Sequence, residues 1–245
     1  MPHKELTIYV DIISSYSYIL VERLAIFFEH QPEWKPSPDF SIKLVMVNLS
    51  SLFAKCGNSL LDSKGKNKLP HLFKDIMWMA DCGGFPYAGP QRNKLDRDDN
   101  GKFVRPALEC AMLQMLNDSG EPFHVVYNAL RLFQRRLFGE GVSIRNTEQT
   151  VEVLSPAFDQ ETVVAWIAKA EENKEKLLAE IDVNTEKLFE MGGYGCPTLV
   201  PALDGQESDM FFFGSDRLEH IAHVFGFEYI PVGKFKSEGF KPLSP

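Results

Sequence analysis

Ser14, Ser15, Tyr16 and Ser17 place four hydroxyls where an apolar run gives way to a helical pattern. A hydroxyl at a helix start can cap it. It can also point a donor at an anion held against the partial positive charge of the helix end. Far along the chain, Gly192, Gly193, Tyr194, Gly195, Cys196 and Pro197 read as a turn entering an extended run from Thr198. A strand-to-helix junction with hydroxyls, set against a distant proline turn, suggests a site for holding a thiol. It does not suggest disulfide exchange, because Ser14 and Ser17 fill both positions of a C-x-x-C spacing. A thiol of pKa about 8.5 is mostly protonated at neutral pH, and the thiolate is the nucleophile. One charge-assisted hydrogen bond from Ser14 would favour the thiolate, since each pKa unit is about 1.4 kcal/mol. Ser14 would stabilise the nucleophile without being one. Read locally, it is equally an ordinary N-cap serine.

The elements that must position these residues follow from periodicity. Residues 6–13 are branched and aromatic and read as a buried strand, with Asp11 needing a partner if it is enclosed. Ser14 or Ser15 caps a helix over 18–28, and 40–47 alternates as a second strand. From about 50 to 190 the pattern is helical, with helices over 70–80, 105–116, from Glu121-Pro122, after Asn146 and Asp159, and over 173–191. Asn146 with Gln149 resembles a capping box. Two short extended runs, 198–202 and 210–213, flank the turn signal Asp204-Gly205. Ser215 then caps a terminal helix through Val224. The order is strand, helix, strand, helical block, strand, strand, helix. This is an α/β domain split between 1–50 and 190–228, with an all-helical insertion over 51–189 and an extended tail over 229–245.

With 245 residues, 44% of them hydrophobic, the chain can bury a full core. A formal net charge of −8 argues against nucleic acid as a partner. Cys56, Cys82, Cys110 and Cys196 are widely spaced, which fits a reducing compartment and lacks zinc-site spacing. No signal segment and no apolar run long enough to span a membrane stands out. A soluble intracellular protein is expected, in the cytosol first, with mitochondrion or peroxisome open although the ending Pro-Leu-Ser-Pro is not a peroxisomal address. No metal is expected. The run at 96–101 opens like a calcium loop, but Ala107 stands where the bidentate Glu belongs. His220 and His223 find no third ligand.

Three blocks, in order, resemble the kappa class of glutathione transferases and the related 2-hydroxychromene-2-carboxylate isomerases. They are Tyr9-Val-Asp-Ile-Ile-Ser-Ser-Tyr-Ser-Tyr18, Gly195-Cys-Pro-Thr198 and Phe212-Phe-Gly-Ser-Asp-Arg-Leu-Glu219. Gly57-Asn58 followed by Lys68 is a weaker fourth. The resemblance implies a thioredoxin-like fold of the DsbA type with a large helical insertion, a homodimer, and glutathione as thiol ligand. Ser14 takes the catalytic serine position, with Ser15 and Tyr16 beside the ligand. Cys196-Pro197 takes a cis-proline turn whose freed backbone groups would pair with an extended peptide such as glutathione. Ser215 and Asp216 take the γ-glutamyl positions, where helix-start N–H groups would meet a carboxylate and Asp216 an ammonium. Asn58 and Lys68 would lie near the other end of the tripeptide. Without the resemblance, Ser215-Asp216 reads as helix capping, and Asn58 and Lys68 as surface residues.

The sequence departs from that family at Ser15, where proline is usual. The implied reaction adds the thiolate to a small electrophile. It ends as a conjugate in a transferase, or as expulsion of glutathione after rearrangement in an isomerase. Tyr16, Trp78 and Tyr194 are candidates for the electrophile's side. A thiol-disulfide oxidoreductase and a non-catalytic glutathione-binding protein remain as alternatives.

Overall fold

The computed structural model describes residues 3–58, 68–89, 106–206, 210–231 and 241–244, with only the backbone at Lys68 and Leu69. Strand β1 (Lys4–Val10) alternates in burial, with Leu6, Ile8 and Val10 enclosed. It is joined to β2 (Phe40–Met46) through helix α1 (Ser15–His30). Parallel pairing of β1 and β2 demands such a crossover. Helices α2 (Leu49–Lys55), α3 (Lys68–Gly83), α4 (Ala107–Asp118), α5 (Phe123–Gln134), α6 (Thr147–Leu154), α7 (Gln160–Glu172) and α8 (Lys174–Glu190) follow. Strands β3 (Thr198–Leu203) and β4 (Phe212–Phe213) and helix α9 (Leu218–Phe225) complete the order. The sheet runs β2-β1-β3-β4, with β3 antiparallel to both of its neighbours. α4 packs against β2, α7 and α8, and one continuous apolar core reaches from Leu6 to Phe225.

Several boundaries have local causes. α1 begins three residues before the expected start at Tyr18, because Ser14 is the N-cap and its Oγ accepts from Ser17 N at 3.1 Å. Asn146 and Asp159 cap α6 and α7 through Gln149 N and Thr162 N. Gln149 also reaches back to Arg145 N, one residue short of a reciprocal capping box. Asp204 and Gly205, at φ +51° and +71°, turn the chain after β3. The expected strand over 210–213 contracts to Phe212–Phe213. α5 ends in a π-helical turn, Arg135–Gly139.

The expectation that Ser215 caps the last helix is corrected. α9 starts at Leu218, and its N-cap position is Arg217, which makes no side-chain capping bond. Ser215 and Asp216 occupy a turn before it, entered through Gly214 at φ +113°. The Ser215 hydroxyl goes instead to Met79 Sδ, at 3.7 Å. The calcium-like run at 96–101 lies outside the described residues.

Candidate functional site

Register gathers the site at the C-terminal end of β1. Tyr9 pairs with Thr198, and Thr198 with Phe213, so Asp11–Ser14, Cys196–Pro197 and Gly214–Asp216 emerge side by side. Gly214 N donates to Pro197 O at 3.0 Å, tying the second and third segments. Ser14 Oγ donates to Cys196 O at 3.1 Å, tying the first to the second across 182 residues. The Cys196–Pro197 peptide is cis.

Asp11 is the hub beneath this junction. Its carboxylate accepts from Ile13 N at 3.2 Å and from Leu49 N, at the start of α2, at 2.6 Å. Its carbonyl accepts from Ser14 N and from Gln134 Nε2, both at 3.1 Å. A carboxylate only 1% exposed is sustained by such bonds. Ser17 Oγ and Gln134 Oε1, both buried, have no hydrogen-bond partner among the described residues.

Ser14 is 3% exposed, and its hydroxyl both accepts from Ser17 N and donates to Cys196 O. Two consequences follow. The Cys196 carbonyl, which the resemblance offers to a peptide ligand, already accepts one hydrogen bond, from the Ser14 hydroxyl. A sulfur bound at Ser14 must also draw the hydroxyl proton away from that carbonyl. Ser15, first residue of α1, is half-buried and makes no side-chain hydrogen bond among the described residues.

Tyr16 OH donates to Asp75 Oδ2 on α3 at 2.8 Å. Burial raises the phenol's pKa first. The bond to Asp75 and the charges of Asp75, Asp216 and Tyr87 raise it further. Burial also pushes Tyr87 up to about 12. Both phenols are therefore neutral donors at physiological pH. The side chains of Asp75 and Met79 lie one turn apart on one face of α3, which spans from Tyr16 to Ser215. Arg23 braces the far side, donating from Nη1 to Ser215 O at 2.9 Å.

The structure thus brings together Ser14, Cys196 and Pro197 directly, and Tyr16, Ser215 and Asp216 through α3. Trp78, 68% exposed, stands next to that α3 face, and Tyr194 packs on Phe213 with ring centroids 4.6 Å apart. Asn58 lies past α2, where its N–H donates to Phe53 O. Lys68 opens α3, and its side chain lies outside the description. Asp75, Met79, Tyr87, Arg23 and Gln134 were missed from sequence. Only Asp75, an acid followed by the apolar run 76–80 of α3, left a local trace.

Among the described residues no group of three or more His, Cys, Asp or Glu could hold a metal, and no helix is long and apolar enough to cross a membrane.

Sheet order, cis-proline turn and helical block together define a thioredoxin-like fold of the DsbA type. No protein-family model and no curated protein matches the chain. Solved structures do match. A 2-hydroxychromene-2-carboxylate isomerase superposes with TM-score 0.59 at 17% identity, over 91% of this chain and 94% of that one. A probable DsbA oxidoreductase from Streptomyces coelicolor gives 0.59 at 18% identity, over 94% and 92%. The cytosolic disulfide reductase DsbM from Pseudomonas aeruginosa gives 0.55 at 15%, over 91% and 97%. That reductase has also been solved with GSH, matching at 0.52 and 15% identity over 81% and 88%. These superpositions show a shared fold.

Proposed function

We propose that this protein binds glutathione at the C-terminal end of β1 and holds its thiolate for addition to an electrophilic small molecule, in the manner of a kappa-type glutathione transferase. The observation that carries this reading is the junction itself. Ser14 and Ser17 occupy both C-x-x-C positions, and Ser14 is hydrogen-bonded to the turn that bears the cis-proline. The fold's dithiol positions are filled by hydroxyls, which retain the power to stabilise a thiolate and lose the power to exchange disulfides. The GSH-bound neighbour supports glutathione as the ligand class. Bound there, the cysteine sulfur of glutathione receives a hydroxyl donor and the field of the α1 N-terminus. The thiolate's electron pair forms the new carbon–sulfur bond, and the leaving group departs with the pair it held.

The isomerase neighbour favours a second reading, in which the thiolate adds reversibly and is expelled after the substrate rearranges. Both readings need the same thiolate. Calorimetry with glutathione, followed by conjugation of an activated aryl halide, tests the reading. Binding with a rise in thiolate absorbance, lost in Ser14→Ala or Ser15→Ala, supports it. Absence of glutathione binding, or vigorous reduction of insulin disulfides, overturns it.

A further inference from the structure

We infer that the Tyr16–Asp75 pair sets the charge preference of this site, disfavouring electrophiles with an anionic group beside the reacting carbon and admitting neutral or cationic ones. The inference rests on the glutathione reading above and deepens it to a substrate class.

Tyr16 stands in the first turn of α1, two residues from Ser14. A phenol there is the natural donor to an anionic substituent of the second substrate. Its proton is already given to Asp75 Oδ2 at 2.8 Å, so an approaching carboxylate would meet a carboxylate instead. The same face of α3 reaches Ser215 through Met79, so Asp75 lies on the helix that spans from the α1 N-terminus to the Ser215–Asp216 turn. Asp216 adds negative potential at the same phenol. When Asp216 pairs with the glutathione ammonium its charge is offset, and Asp75 is left, among the described residues, as the acid without a cation. No ion pair to Asp75 exists among the described residues. Arg217, the cation beside Asp216, is half-exposed, with Nε 3.7 Å from Asp216 Oδ1 and donating to Phe213 O at 3.2 Å. The adjoining Trp78 offers an exposed aromatic surface suited to a flat neutral or cationic group.

The probes are three S-benzylglutathiones bearing a para hydrogen, carboxylate or trimethylammonium group, compared by calorimetry with plain glutathione. The carboxylate should bind about tenfold more weakly than the hydrogen parent, the scale of one unscreened neighbouring charge. The ammonium should bind as well as the parent or better. In Asp75→Asn the gap between carboxylate and parent should shrink to about twofold, while Tyr16→Phe, which keeps the charge, should retain most of it. Added salt should narrow the gap in the unaltered protein, a check that does not depend on a variant folding. Equal binding of carboxylate and parent, or a gap indifferent to Asp75→Asn and to salt, overturns the inference while glutathione binding stands. If plain glutathione and all three probes fail to bind, the glutathione reading falls and the inference with it.

Discussion

Replacing Ser14 by alanine separates its structural role from its chemical one. The hydroxyl accepts from Ser17 N and donates to Cys196 O, each at 3.1 Å. Loss of an N-cap serine costs about 1 kcal/mol. Loss of the second bond leaves a buried carbonyl without that donor and costs about 1 kcal/mol more. Ser14→Ala should therefore destabilise the fold by about 2 kcal/mol. In a chain of this size that lowers the thermal midpoint by roughly 4–8 °C. Ser15→Ala is the matched control. Its hydroxyl is half-buried and makes no bond among the described residues, so the loss should stay within about 0.5 kcal/mol. Denaturant titration followed by circular dichroism gives both numbers, and thiolate absorbance with bound glutathione gives the chemical half. The reasoning is refuted if Ser14→Ala is as stable as the parent, or if Ser15→Ala costs more than Ser14→Ala.

Other expectations follow from the buried polar groups. Glu22 is fully enclosed and receives both Arg131 Nε at 2.8 Å and Arg131 Nη2 at 3.0 Å, with Arg135 Nε at 3.3 Å. Arg131→Leu should cost about 3 kcal/mol in denaturant titration, and removing Glu22 as well should recover much of it. Glu109 is buried, and burial holds its carboxyl above the ordinary 4.5, against a weaker opposing bond from Thr150. A raised folded value means its stabilising contribution is full below pH 4.5 and is lost as pH rises through the folded value. Glu109→Gln should accordingly gain on the parent in denaturant midpoint from mildly acid to neutral pH. Asn128 exchanges hydrogen bonds with Leu243 N at 2.8 Å and Leu243 O at 2.9 Å, and Arg131 Nη1 holds Lys241 O. Asn128→Ala should speed amide hydrogen exchange at Leu243, whose N–H it holds, while costing about 1–2 kcal/mol of global stability. Unchanged exchange there would show that Asn128 is not what pins this segment.

What the sequence determined by itself was written in short-range chemistry. Ser14, Asn146 and Asp159 cap helices because each reaches an N–H three residues on, a distance visible in any window of the chain. Asp204-Gly205 turns because those residues tolerate positive φ. The strands expected at 6–13 and 40–47 declared themselves through apolar character and formed at Lys4–Val10 and Phe40–Met46, and the serines at 14 and 17 showed that no C-x-x-C stands at the junction.

Tertiary structure decided what those residues touch. Sheet register, which no local signal specifies, put Cys196 against Ser14 and so spent the hydroxyl proton on a carbonyl. Packing of α3 across the α1 N-terminus gave Tyr16 an acid 59 residues away and took the Ser215 hydroxyl for Met79. Local rules had assigned that hydroxyl to the cap of α9. Capping signals are short-range and nearly independent of fold. A buried hydroxyl or carboxylate, by contrast, must find whatever partner the assembled core presents, and that partner is set by strand order and helix packing.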